Sequence, residues 1–362
     1  MNQHYVPRVY LKNFSEKRKN EYFIKVYEKE TQRKFESNIR KVCGVNNLYT
    51  LEEGDSYNPN PLVIEKGYAE FFEPLYNNAY NILIDDRITN ITPKQRVLIL
   101  TAVFQFYFRN TKILNESIEY HIDRINYTYK QNVKNGIGSF EYLGQEFYTL
   151  QPLEEQIEKY KKQSKYQFKT GHVQGFYKLI ESNIDQAITI YKLVDESKFI
   201  TSDNPMKNSN LNKLSKNPFQ SESQFFLPLN DKYALFLHNN KNLSKLKIHR
   251  DNSFNGRASI VNGHMINNCQ KFVFGDQEEI RKELWLQDVM KTEYEDNDEK
   301  FVQLMRETLR VMQIQKGPMQ LIELTTKLIR KYDSTGKLTR QERQEFYNKG
   351  CKLMENEWRN KI

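Results

Sequence analysis

Three side chains in this sequence have types and settings suited to chemistry on an anion: His4, Arg109 and Asp203. His4 lies in the opening "MNQHYVPRVYLKNFS", where Pro7 fixes the backbone and Tyr10, Leu11 and Phe14 can dock as one helical turn. A docked opening carries His4 inward with Tyr5 beside it, and imidazole suits proton transfer near neutral pH. Arg109 follows "FQFYF" directly, with Gln105 one turn earlier on the same helix face. A guanidinium among apolar neighbours must meet a carboxylate or a bound anion, because burying it alone is costly. Glu65 and Glu73, on the preceding helical segment, are the candidate partners. Two readings stay open: an interhelical ion pair that only holds the fold, or an Arg held by a Glu to receive phosphate or carboxylate.

The stretch "FITSDNP" (199–205) breaks a local rule in the same way, since an apolar strand runs into Ser202, Asp203 and Asn204 before a proline. Asp-Asn-Pro ends a strand and forms an Asx-type turn, which alone accounts for it. A strand end is equally a place for a catalytic carboxylate, orienting His4 or holding a divalent cation. Asn262 and Asn268 sit with His264 on an otherwise apolar helix, although Asn prefers caps and turns. Asn262 thus joins Tyr5, Glu65, Glu73, Gln105, Ser202 and Asn204 as a candidate ligand-binding residue.

Familiar catalytic signatures are missing. The sequence has no Gly-rich phosphate loop, no G-x-S-x-G elbow and no His-Glu-x-x-His helix. Its six histidines show no metal-ligand spacing, and "DSTGKLTRQE" lacks the acidic positions and central glycine of a calcium loop. No metal site and no cofactor is therefore assigned.

The elements that must position these residues come in blocks rather than in strand–helix alternation, which argues for an α+β fold over a doubly wound sheet. Alternation in "EYFIKVYEKE", followed by "KFESNIRKVC" and "NLYTLEE", predicts a small antiparallel meander over 21–53. A helical layer follows over 62–187. Its first helix, Leu62 to Ile84, should be kinked or split at Pro74. Its second starts at the capping box Thr92-Pro93-x-Gln95 and is apolar almost all round from Val97 to Phe108. Such a helix belongs at the centre of the domain, and the pattern carries it on past Arg109. Four short β-rich runs predict a second antiparallel sheet over 188–239, then a helix and strand over 256–275. From 276 to 362 the chain reads as a helical extension, with another capping box at Thr339 and Glu342.

Aromatic residues make up 13% of the chain, too many for a disordered polymer, so a folded core rich in rings is expected. No apolar run is long enough to span a membrane and no signal peptide is visible. Three widely spaced cysteines, Cys43, Cys269 and Cys351, fit a reducing cytoplasm. The net charge of +9 is uneven. "KYKKQSKYQFK" carries Lys159, Lys161, Lys162, Lys165 and Lys169 with rings between them and no acid. That pattern fits either a solvated helix face or a surface that tracks nucleic acid.

"HYVPRVYLKNF", "IEKGYAEFFEPL", the Gln105-x-x-x-Arg109 spacing, "ITSDNP" and "FFLPLNDKYALFL" occur in that order, with Asn262 after them. Together they resemble the bacterial family catalogued as domain of unknown function 4238, over roughly residues 1–275. Arg8 departs from the Gln usual after His-Tyr-Val-Pro. The resemblance implies no established reaction. It does imply that His4, Arg109, Asp203 and Asn204 belong to one site, and by analogy it suggests accessory bacterial genes such as nucleases and phage-defence factors. Three functions are expected to compete. One is a hydrolase of nuclease or phosphodiesterase type, acting on nucleic acid or nucleotide. Another is a non-catalytic nucleic-acid-binding or sensor module, and the third a factor that recruits a protein partner through 298–362.

Overall fold

The computed structural model describes residues 2–51, 60–109, 111–210, 219, 223–294, 298–314, 319–339, 341–343, 345–346 and 349. It is an α+β protein whose chain divides into two compact units, residues 1–280 and 281–362.

The opening is tied down from its first described residues. Strand β1 (Asn2–His4) is followed by a single turn, α1 (Arg8–Leu11), and a 3-10 turn to Phe14. β2 (Glu16–Arg18), β3 (Glu21–Glu28), β4 (Lys34–Asn38) and β5 (Gly44–Asn46) come next. β3 pairs antiparallel with β2 and β4, but β5 leaves them to pair with β1, setting Gln3 opposite Val45 and His4 opposite Gly44. The expected third strand of the meander, 47–53, is therefore replaced by β5, and residues 52–53 lie outside the described residues. Val6, Tyr10 and Leu11 are completely buried, and the Tyr10 hydroxyl donates to the Pro228 carbonyl at 2.9 Å. Burial of those three side chains contributes roughly 1.5–3 kcal/mol each, ample to hold the segment against fraying.

The helix expected over 62–84 is split as its proline requires. α2 (Val63–Gly67) runs into a π-helical turn, Tyr68–Phe72, and then α3 (Glu73–Ile84), with Pro74 in its first turn. Proline has no N–H to offer the carbonyl four residues back, so the wider turn falls just before it. α4 (Pro93–Phe108) carries the expected capping box: Thr92 Oγ1 accepts from the Gln95 amide at 3.1 Å, and Gln95 Oε1 accepts from the Thr92 amide at 2.8 Å. Ile99, Leu100, Ala102, Val103 and Phe104 are fully buried on it, which makes it the central helix.

α4 stops at Arg109, its C-terminal cap, and a separate helix α5 (Thr111–Lys134) follows. The sequence pattern ran on through this point because Arg109-Asn110 contains neither glycine nor proline. A hairpin of β6 (Ser139–Tyr142) and β7 (Gln145–Tyr148) also interrupts the expected helical layer. α6 (Leu153–Ser182) is then a single long helix. Gly175 lets α6 approach α4 closely, since a Cβ there would lie 3.1 Å from the Phe108 ring.

β8 (Ala187–Leu193) is buried along almost its whole length, as its apolar run suggests. β9 (Thr201–Ser202), β10 (Lys207–Asn210), β11 (Ser223–Pro228), β12 (Tyr233–His238) and β13 (Ile248–Ser253) follow. The second sheet has the order β10-β11-β12-β8-β13 and is mixed rather than purely antiparallel, because β13 runs parallel to β8. β13, "IHRDNS", is too polar to announce itself as a strand. β9 leaves this sheet to pair with β14 (Phe272–Phe274), which in turn pairs with β3. Between β13 and β14 lies α7 (Asn255–Asn268), and α8 (Gln277–Tyr294) follows β14. One core joins Tyr10 and Leu11, α3, α4 and the inward face of the second sheet.

In the unit 281–362, α9 (Asp298–Ile314) and α10 (Met319–Thr335) enclose Phe301, Val302, Met305, Leu328 and Ile329. The Thr339–Glu342 capping box is present, with both reciprocal hydrogen bonds formed. Among the described residues no helix is long and apolar enough to cross a membrane.

Candidate functional site

Arg109 is 1% exposed, yet its guanidinium is not used up. Nε donates to the His4 carbonyl at 2.8 Å and Nη2 to Glu73 Oε1 at 3.0 Å, while the group lies over the Tyr68 ring, 4.4 Å from its centroid. The Tyr49 hydroxyl caps the Arg109 carbonyl. Nη1 has no partner. Three further buried atoms near this ion pair are also unpartnered: His4 Nε2, Glu65 Oε2 and Gln105 Oε1. Each buried polar group left so costs about 1–3 kcal/mol, and four of them together mark a place built for something else to complete.

The π turn explains how two glutamates share this place. Eight residues of α-helix would set Glu65 and Glu73 about 80° apart around the axis. Five π-helical residues, at about 4.4 per turn, rotate less and return the two to within roughly 10°. Glu65, Glu73 and His4 are half-buried, so the buried Arg109 lies beneath groups that solvent reaches.

The His4 ring is shifted towards its neutral form. Burial lowers its basicity first, the guanidinium of Arg8 and then that of Arg109 add to this, and the Arg40 carbonyl and Glu73 oppose it. Because Nε2 is unpartnered, Nδ1 is the nitrogen that donates to Arg40. A neutral ring with a free Nε2 lone pair results, the form a general base needs. The Glu65 carboxyl is shifted the other way. Burial raises it, Glu73 adds to the rise, and Arg109 and Arg8 pull it down. The imidazole and the carboxyl are thus shifted in opposite directions, as titratable groups of reactive sites often are.

Gln105 reaches the same place from one turn earlier on α4, its Nε2 donating to the Ala102 and Phe72 carbonyls at 2.9 and 3.2 Å. Sequence reasoning passed over Arg8. Its exposed guanidinium acts on both His4 and Glu65, and the one signal of this was its departure from the Gln expected at that position.

The other candidates are engaged elsewhere. Asp203 is fully buried and accepts from the backbone amides of Gln270, Lys271 and Phe272 at 2.8, 2.7 and 3.0 Å. Burial raises its carboxyl while those three N–H groups draw it down. Its charge acts on Tyr5 and Cys43. Tyr5 is buried with its hydroxyl against the Cys43 thiol. Ser202 Oγ accepts from the Asn204 amide at 3.2 Å, and Asn204 and Asn268 exchange side-chain hydrogen bonds with each other's carbonyls. Asn262 bridges the Ile200 amide and the Lys198 carbonyl. This second cluster ties β9, α7 and β14 together.

The lysine run lies on α6 with its rings turned away from it in part. Tyr160 is buried against Ile125 and Phe147, Lys161 pairs with Glu158 at 2.5 Å, and Lys169 donates to the Thr50 carbonyl at 2.9 Å. Lys159, Lys162 and Lys165 are exposed. Among the described residues no group of three or more His, Cys, Asp or Glu side chains is placed to hold a metal ion.

The fold is α+β, with His4 beside the buried Arg109–Glu73 pair. The chain belongs to the family described as Protein of unknown function (DUF4238), which matches residues 2–279. No curated protein and no solved structure matches the chain.

Proposed function

We propose that the protein cleaves phosphodiester bonds, in the manner of a nuclease or phosphodiesterase, at the place where His4, Glu65 and Arg109 meet. The observation that carries this reading is the free Nη1 of a guanidinium that is otherwise held fast from two sides. It offers a charge-assisted donor to a phosphate oxygen. His4 Nε2 takes a proton from the attacking hydroxyl, and Glu65 supplies one to the leaving oxygen. Glu73 is a positioning residue that fixes the Arg109 plane, and Gln105 Oε1 accepts from a hydroxyl of the substrate. Asp203, Ser202, Asn204 and Asn262 hold the scaffold in this reading and take no part in the chemistry. Lys159, Lys162 and Lys165 add long-range attraction for a polyanion.

The test is cleavage of end-labelled single-stranded RNA and DNA by the full chain. His4→Gln should slow cleavage by about 10²–10⁴-fold, the usual worth of a general base, with little change in Tm. Retained activity in a folded His4→Gln protein contradicts the reading. A non-catalytic sensor draws on the same Arg109, and binding of the strands without turnover would favour it.

A further inference from the structure

The outer face of the second sheet carries a row of rings that the main core does not use. In the register of that sheet Lys207, Phe226, Phe236, Thr189 and His249 lie opposite one another across β10, β11, β12, β8 and β13. The pleat turns them away from Phe225, Leu235 and Ile190, which enter the main core. Phe236 stacks on Phe226 and on His238, each at 4.5 Å between centroids, and on Tyr191 at 5.7 Å. The Arg257 guanidinium lies over the Tyr191 ring at 4.3 Å, and the Thr189 hydroxyl holds His238 Nε2 at 2.9 Å. Ala258 and Val261 of α7 cover one end of this row. Tyr191 is 4% and Phe226 7% exposed, whereas Phe236, His238 and His249 are only half-buried.

The charge beside these rings is mostly of one sign. From Lys232 to Gly275 the chain has seven Lys or Arg and a single acid, Asp251, which faces Arg257 at 3.9 Å. Lys245, Arg250 and Lys271 meet acids from elsewhere in the chain, Asp185, Asp86 and Glu28. Lys241 and Lys247 are exposed on the loop from β12 to β13 and form no ion pair among the described residues. That loop is tied to the row, since His249 Nε2 donates to the Ser244 carbonyl at 3.2 Å. Half-open rings beside unpaired cations suit a polymer that alternates flat bases with phosphates, because every base has a π face to stack. We infer that the outer face of the second sheet binds single-stranded nucleic acid, a base resting on Phe236 and His238 and adjoining phosphates on Lys241 and Lys247. An acidic peptide would use the lysines and gain nothing from the rings, and a duplex keeps its bases away from them. This site goes beyond the proposed cleavage and stands without it.

Anisotropy of fluorescein-labelled oligothymidylate tests this with the full chain carrying His4→Gln, so that cleavage does not consume the probe. Phe236→Leu, which keeps an apolar side chain in the row, should weaken binding by about 5- to 150-fold with little change in Tm. Lys241→Gln and Lys247→Gln should each lower the slope of log affinity against log salt by roughly 0.7. Strands carrying iodouracil, irradiated with the unsubstituted protein, should crosslink at Phe236 or His238, as mass spectrometry of the digest would show. Unchanged affinity in a folded Phe236→Leu protein, or crosslinks confined to other surfaces, would overturn the inference. Displacement of the strand by polyglutamate as readily as by unlabelled strand would reduce the face to an anion patch and overturn it too, as would no binding at low salt. Binding at this face with no cleavage by the unsubstituted protein contradicts the proposed function alone.

Discussion

The two arginines at the ends of the central helix make an instructive pair. Both lie in α4's apolar surroundings and both are buried, Arg96 at 4% exposure and Arg109 at 1%. Arg96 spends every nitrogen on backbone: Nε donates to the Ile184 carbonyl and Nη1 to that of Lys245, each at 2.6 Å, and Nη2 to that of Gln186. It closes the turn between α6 and β8. Arg109 keeps Nη1 unpaired and stands among three other unpaired atoms. A buried charge is therefore no sign of a site by itself; what sets Arg109 apart is that its unfilled nitrogen stands with those of His4, Glu65 and Gln105. Asp203 and Glu65 repeat the contrast in carboxylates, one surrounded by three backbone N–H donors and one with a bare oxygen.

Substitutions can break this comparison, beginning with the largest effect. Arg96→Met leaves three carbonyls without this donor, that of Gln186 buried and those of Ile184 and Lys245 partly so, at about 1–3 kcal/mol for a buried group, against a total stability of about 5–15 kcal/mol. Urea unfolding should show a loss of roughly 3 kcal/mol or more, and a loss below about 1 kcal/mol would show the clamp to be ornamental. Arg109→Gln should cost less stability, about 1–2 kcal/mol, because one of its donors is unused already, yet it should abolish cleavage. Asp203→Asn puts an NH2 donor in place of one of the two oxygens that between them accept from three N–H groups, and should lower stability by about 1–3 kcal/mol. Glu65→Gln should leave stability unchanged or slightly improved at neutral pH while slowing cleavage.

The pH dependence sharpens the same contrast. His4 binds its proton less readily folded than unfolded, so its contribution to stability is present at neutral pH and declines as pH falls through the imidazole range. Glu65 is shifted upward, so the folded protein loses stability as pH rises through the carboxyl range. Facing His4 are Arg8, Arg109 and Glu73; facing Glu65 are Arg109, Glu73 and Arg8. Cleavage should rise with pH as His4 loses its proton and fall as Glu65 loses its own. In Glu65→Gln the falling limb of the rate profile should vanish, and its persistence would assign the acid elsewhere. The smallest effect belongs to Arg8→Gln, which should reduce the slope of log affinity against log salt by roughly 0.7, one phosphate contact on a single strand.

Much of this was legible in the sequence for reasons that are local. The docked opening followed from Pro7, Tyr10 and Leu11, the start of α4 from its capping box, and the split before α3 from Pro74. Arg109 with Glu73 followed from a guanidinium that could not stay alone in apolar company. What escaped notice depends on long-range hydrogen bonding. Nothing near Asp203 says that Gln270, Lys271 and Phe272 will aim their amides at it, so those hydrogen bonds were invisible. The register shift that brings Glu65 beside Glu73 comes from a π turn, which helical periodicity does not encode. Arg96 and Arg109 are indistinguishable in sequence because their difference lies in what they fail to touch.

The most direct measurement is the titration of the His4 ring by nitrogen-15 NMR, assigned by difference with His4→Gln. The account predicts a neutral ring with the proton on Nδ1, titrating below ordinary imidazole and moving when Arg109 is replaced by Gln or when inorganic phosphate is added. A His4 resonance that titrates like free imidazole and ignores both changes would contradict it.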